Sequence, residues 1–213
     1  MLRVKICGIT NLEDASLAVR LGAHALGFIL APSPRQVSPE AVRDIVRGIP
    51  ALVQTVGVFV NEAPSRVREI MGFCGLDLAQ LHGDESADDC EALTPRAIKA
   101  LRLRDESSLA VAATYRGKVR AVLLDSYVKG RRGGTGTTLD WGLAARGLEL
   151  GIPVILAGGL NPGNVRRAVS VVRPFAIDVS SGVEERPGRK SAALMDRLME
   201  VVRNLHVGAI RHE

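Results

Sequence analysis

The chain has 213 residues, 46% hydrophobic and 24% charged, the balance of a globular protein that can bury a full core in one large domain. No run reaches the length of a membrane span and no signal-peptide h-region precedes the first apolar stretch, so a cytoplasmic protein without a membrane partner is expected. The formal net charge is +5, yet the basic residues are dispersed, aromatics are 3% and no recognition motif accompanies them; this disfavours nucleic acid and favours small anions. Three cysteines, Cys7, Cys74 and Cys90, lack C-x-x-C spacing, so neither a disulfide framework nor a metal site is expected. The arginine bias and scarcity of Asn and Gln suggest a thermophilic source.

Short runs rich in Val, Ile and Leu alternate with amphipathic stretches along the whole chain. Strands are predicted at Leu2–Ile6, Ala25–Ile29, Leu52–Val58, Leu78–Leu81, Ala97–Leu101, Ala121–Leu124, Val154–Leu156 and Phe175–Asp178. Helices are predicted between them at Leu12–Leu21, Pro39–Arg47, Pro64–Met71, Ala87–Ala92, Ser107–Tyr115, Leu139–Leu148, Pro162–Val171 and Ser191–Asn204. Asn11, Ser38-Pro39 and Asn161-Pro162 supply start signals. Strict alternation demands a parallel sheet, and eight repeats suit a single-domain α/β fold, a closed (β/α)8 TIM barrel over residues 1–205. An open doubly wound sheet is the alternative. Residues 206–213 read as a frayed tail.

In such a barrel the chemistry gathers where strands end, at the carboxyl face. The predicted ends carry Cys7, Asn61, Gln80, His82, Lys99, Asp125, Gly158-Gly159 and Asp178. Arg3, Lys5 and Cys7 share one face of the first strand. An ammonium beside a thiol lowers its pKa, so Cys7 is expected to be a usable base or nucleophile near neutral pH; the bland alternative is a small buried hydrophobe. Asp125 ends an apolar run, where poor solvation raises a carboxyl pKa toward that of a general acid; an ordinary ion pair is the alternative. Arg35, stiffened by Pro32 and Pro34, suits a carboxylate. His82 lacks a partnering histidine at metal spacing, which favours a hydrogen-bonded positioning role.

Two loops read as phosphate cradles. Gly158-Gly159 leads straight into a capped helix, and Ser180-Ser181-Gly182 follows the eighth strand; these are the slots where barrels commonly bind phosphate. The basic, glycine-rich segment 126–138 reads as a lid over an anionic ligand, with a solvated linker as the alternative.

Seven blocks carry a resemblance: Lys5-Ile6-Cys7-Gly8-Ile9-Thr10, Gly57-Val58-Phe59-Val60-Asn61, Gln80-Leu81-His82-Gly83-Asp84-Glu85, Leu123-Leu124-Asp125, Gly133-Gly134-Thr135-Gly136, Ala157-Gly158-Gly159-Leu160 and Asp178-Val179-Ser180-Ser181-Gly182-Val183-Glu184. In this order they resemble the phosphoribosylanthranilate isomerase family of tryptophan biosynthesis. The resemblance implies a cofactor-free barrel that rearranges N-(5-phosphoribosyl)anthranilate, with Asp125 as general acid and Cys7 as general base. It assigns Arg35 to the anthranilate carboxylate, Asp178 to the site lining, and the amides near Gly159, Ser181 and Gly182 to the phosphate. Oligomeric state varies in this family, and the thermophile-like composition alone points to a homodimer. Other readings are a related sugar-phosphate isomerase or epimerase barrel, a Schiff-base aldolase using Lys99, and a phosphate-ligand-binding barrel without turnover.

Overall fold

The computed structural model describes residues 2–125 and 141–209. Eight parallel strands close into a barrel in sequential order, and β1 pairs with both β2 and β8. The strands are β1 Arg3–Cys7, β2 Ala25–Ile29, β3 Gln54–Phe59, β4 Leu78–Leu81, β5 Ala97–Arg102, β6 Ala121–Asp125, β7 Val154–Ala157 and β8 Ala176–Val179. The helices are α1 Leu12–Leu21, α2 Pro39–Arg47, α3 Pro64–Cys74, α4 Ala87–Glu91, α5 Glu106–Ala113, α6 Trp141–Arg146, α7 Val165–Val172 and α8 Ala192–Ala209. After β8, a short antiparallel pair is added, β9 Glu184–Arg186 and β10 Arg189–Lys190. No periodicity in the sequence predicts this pair.

The helix ends follow local chemistry. The Asn11 side chain accepts from the Asp14 amide and the Ser38 side chain from the Ala41 amide, each satisfying a backbone donor that the helix cannot. Ser86 with Asp89, and Asp105 with Ser108, form reciprocal capping boxes. Several boundaries differ from expectation, most by a residue or two. β3 starts at Gln54 because Leu52, at φ 70° and fully exposed, lies in a turn. α3 runs on to Cys74, where Gly75 in the left-handed region ends it. α7 starts at Val165 rather than Pro162, after a turn held by Asn161 and Asn164. The expected tail from residue 206 is helical as far as Ala209.

Alternation along the strands sorts side chains into two cores. Val4, Ile6, Leu26, Phe28, Leu81, Leu124 and Leu156 pack outward against the helices. Each such residue, when fully buried, contributes about 1.5–3 kcal/mol. Val56, Leu78, Ile98, Ala100, Ala121, Leu123, Ile155, Ala157 and Ala176 face the lumen as a second cluster. The lumen core draws on β3 to β8 but takes nothing from β1, whose inward residues are Lys5 and Cys7. That gap is where polar groups enter the barrel.

Candidate active site

Lys5 is the hub. Its Nζ donates to Asp178 Oδ1 on β8 and to Gln80 Oε1 on β4, both at 2.9 Å, and interacts with the Cys7 sulfur. Lys5 is 3% exposed and Cys7 5% exposed, so these charges are shielded from water. Gly27 on β2 leaves the room they need: a Cβ there would stand 2.7 Å from Cys7 Sγ and 3.0 Å from Lys5 Nζ.

The network continues to His82. Because Gln80 Oε1 accepts from an ammonium, its amide Nε2 faces His82 Nδ1, at 3.0 Å. An amide nitrogen only donates, so His82 Nδ1 is the acceptor and Nε2 carries the proton. Burial pushes the His82 pKa down, against the opposing charges of Asp125 and Asp178, so the ring is neutral near pH 7. Asp178–Lys5–Gln80–His82 is thus one hydrogen-bonded chain from β8 to β4. Asp125 ends β6 on the same inward face as Ala121 and Leu123.

The expected activation of Cys7 by Lys5 is corrected. Burial pushes the thiol pKa up, Asp178 pushes it further, and the charges of Lys5 and Lys190 do not outweigh them. For Lys5, burial alone would depress the pKa, but Asp178 and then Cys7 reverse it and keep the ammonium charged.

Arg35 lies over Gly8, where a Cβ would meet its Cδ at 2.7 Å. Its Nε and a terminal nitrogen grip Glu184 in a bidentate pair at 2.6–3.0 Å. Glu184 also accepts from Lys190 Nζ at 2.9 Å. Burial alone would raise the Glu184 pKa; the hydrogen bonds from Arg35 and Lys190 hold it below the usual carboxylate range. Lys190 donates as well to the Cys7 carbonyl at 2.5 Å and the Ser180 carbonyl at 3.3 Å, tying the ends of β1 and β8 together. Sequence pattern alone gives Glu184 and Lys190 no role. The Glu184 position lay inside the last resembling block, but nothing in the local pattern marked Lys190.

The two glycine loops meet. A Cβ on Gly182 would clash with the Leu160 carbonyl, so only glycine lets the loop after β8 lie against the loop after β7. Gly158 and Gly159 take φ of 96° and 63°, and the space beside Gly159 is open. Ser181 and Gly182 form a short 3₁₀ turn with Val183. The expected helix amino terminus behind Gly159 is displaced: Asn164 and Asn161 donate back to the Gly159 carbonyl, and the helix begins farther on.

Two strand-end residues do not belong to this site. Lys99 sits between inward Ile98 and Ala100 and therefore points outward, where it pairs with Glu85 at 2.6 Å and donates to the Gly83 carbonyl. Both partners are buried, so the Schiff-base reading loses its lysine. Asn61, at φ 53°, serves the same clamp: its amide donates to Glu85 and its side chain accepts from Asp84. The segment 126–138 read as a lid lies outside the described residues. Among the described residues no cluster of His, Cys, Asp or Glu is placed to hold a metal ion, and no helix is long and apolar enough to cross a membrane.

A closed (β/α)8 barrel with an inward thiol, carboxylates, a neutral histidine and paired glycine loops at the carboxyl ends defines the class: a barrel enzyme with its site at that face. The model of the N-(5'-phosphoribosyl)anthranilate (PRA) isomerase family matches residues 4–201. The N-(5'-phosphoribosyl)anthranilate isomerase of Geobacter sulfurreducens is 53% identical over 204 residues, 95% of this chain and 98% of that protein. A solved phosphoribosyl anthranilate isomerase in complex with reduced 1-(o-carboxyphenylamino)-1-deoxyribulose 5-phosphate matches with a TM-score of 0.86 at 42% identity, over 96% of this chain and all of that one. A structure of monomers generated from the dimeric Thermotoga maritima phosphoribosylanthranilate isomerase matches at 0.85 and 40%, with the same coverage. The chain belongs to the N-(5'-phosphoribosyl)anthranilate isomerase family.

Proposed function

We propose that this chain converts N-(5-phosphoribosyl)anthranilate to 1-(2-carboxyphenylamino)-1-deoxyribulose 5-phosphate, the Amadori step of tryptophan biosynthesis, with Asp125 as general acid and Cys7 as general base. One observation carries the assignment: in a member of this family, Cys7 stands over a buried Lys5–Asp178 pair, on the inward face that Asp125 shares. The related complex with a reduced product supports the substrate class.

Asp125 protonates the ribose ring oxygen, the C1–O bond breaks, and the anilino nitrogen lone pair closes a protonated Schiff base. That cation acidifies the C2 proton. It also brings positive charge toward a thiol that burial and Asp178 otherwise hold protonated, favouring loss of the thiol proton to bulk solvent and so the thiolate form. The Cys7 thiolate takes the C2 proton, the C–H electrons form the C1=C2 bond of an enolamine, and ketonisation gives the product. Every step is a proton transfer or a ring opening, so none requires a metal or cofactor.

Arg35 takes the anthranilate carboxylate, exchanging or sharing its grip on Glu184. Amides of Gly158, Gly159, Ser181 and Gly182 take the phosphate. Gln80 and neutral His82 line the ribose, with the His82 Nε2 proton available to a substrate oxygen. We place the reaction in the cytoplasm and take a homodimer as the assembly, which sedimentation at micromolar concentration tests. Activity is tested by the fluorescence decay of freshly made phosphoribosylanthranilate in the presence of a chelator. Turnover is expected. Binding of the phosphate ester without turnover, or epimerase activity instead, contradicts the assignment.

A further inference from the structure

The opposite, amino-terminal end of the barrel holds a cavity of about 370 Å³, remote from the glycine loops. Its walls are branched aliphatics, Val56, Leu78, Ile98 and Ile155, and Lys5 lines it below the point where its ammonium leaves for Asp178. Its rim is different in kind. Arg3, Arg120 and His24 stand there with Phe175, and no carboxylate among the described residues lines the space.

The rim groups are oriented. The Arg3 guanidinium carbon stands over the Phe175 ring, 4.4 Å from its centroid, a cation–π contact that holds the group at the rim. His24 Nδ1 accepts from the Val4 amide at 3.2 Å, so Nε2 holds the proton. Burial, with the charges of Arg3 and the amino terminus, pushes the His24 pKa down, making the ring a neutral donor.

A cationic, carboxylate-free rim over apolar walls selects an anion with an apolar body. Inorganic phosphate would leave the walls without a partner, and a flexible fatty acid would lose rotamer freedom on entry. A planar ring suits the space, since an apolar cavity of about 150 Å³ already admits benzene. We propose that this cavity is a second ligand site that binds a small aryl carboxylate, its ring against Val56, Leu78, Ile98 and Ile155 and its carboxylate between Arg3 and Arg120.

Benzoate is the probe, titrated into the full-length protein and followed by amide chemical shifts. The proposal expects shifts at His24, Ala25, Ala121 and Ala176 that saturate with a Kd on the order of 1 mM. They persist in Arg35→Ala, which removes the proposed carboxylate site at the other end. Arg120 is exposed, so Arg120→Gln folds; it should weaken benzoate roughly tenfold while leaving kcat/KM for the isomerase reaction unchanged. Arg3→Gln gives an independent second reading. Three results overturn the site: no shifts at the amino ends at about 50 mM benzoate, shifts confined to the carboxyl-terminal mouth and lost in Arg35→Ala, or equal shifts with inorganic phosphate.

Discussion

The Lys5 ammonium stands 2.9 Å from the Asp178 carboxylate beneath the sulfur of Cys7, and Asp178 bears on the charge of both. Asp178 keeps Lys5 protonated in a place where burial would neutralise it. Burial first, and then Asp178, keep Cys7 protonated, the opposite of what Lys5 alone would do.

The balance has a sign that can be measured. Thiolate is the form that alkylates, and the Cys7 pKa lies above the ordinary thiol value, so labelling by iodoacetamide should climb with pH into the alkaline range. Asp178→Asn removes a charge that raises this pKa, and the thiolate, as it forms, supports the Lys5 ammonium that favours it; the labelling limb should move to lower pH. Lys5→Met should move it the other way. Peptide mass spectrometry distinguishes Cys7 from Cys74 and Cys90. Limbs that coincide in all three proteins would remove the network from control of Cys7.

Gly27 faces Cys7 and Lys5 so closely that a methyl group there must displace one of them. Gly27→Ala should cost about 1–3 kcal/mol in denaturant unfolding, the usual range for overpacking. Its effect on kcat should be larger than that stability loss suggests, at least about tenfold, because displacing a base by an ångström misaligns proton transfer. Unchanged kcat would mean that the Cys7 position is not critical.

Much of this site was legible before the structure. Strand alternation predicts that Lys5 and Cys7 share a face, and the barrel rule gathers Gln80, His82, Asp125 and Asp178 at one end. What failed did so for physical reasons. Lys99 lies in a run that is apolar on both faces, so its direction could not be read from pattern; the structure turns it outward. The Cys7 pKa was judged from Lys5, two residues away, whereas Asp178 is remote in sequence (173 residues from Lys5) and burial is a tertiary property. Lys190 reaches Cys7 through a hairpin too short for periodicity to reveal.

The outward clamp makes a stability prediction. For Glu85, burial alone would raise the pKa; hydrogen bonds from Lys99 and from backbone amides, including that of Asn61, outweigh it and lower it. A depressed carboxyl contributes stability above its unfolded pKa of about 4.3, and that contribution is lost as pH falls through the folded value. Lys99→Met, which leaves a buried carboxylate without its cation, should cost about 3–5 kcal/mol at pH 7. Lys99→Met with Glu85→Gln should recover part of that and lose less stability than wild type on acidification. Urea unfolding at pH 7 and at about pH 3 checks both; a neutral Lys99→Met would show the pair to be dispensable.

Arg35 and Glu184 divide along KM. Arg35→Ala should raise KM by about tenfold or more with a smaller change in kcat, as expected for a lost charge-assisted contact to the substrate carboxylate. Glu184→Gln frees the guanidinium and loosens Lys190, so KM should rise less than in Arg35→Ala, while the unfolding midpoint falls. Equal KM in wild type and Arg35→Ala would move the carboxylate site elsewhere.

The central claim is that Cys7 is a general base opposite the acid Asp125. The most direct measurement is single-turnover decay of phosphoribosylanthranilate fluorescence by Cys7→Ser, with Asp125→Asn alongside and folding of both checked by circular dichroism. A serine hydroxyl is far too weak a base near pH 7, so the rate should fall by at least about 10³-fold with substrate binding retained. A Cys7→Ser protein that turns over within about tenfold of wild type would contradict it.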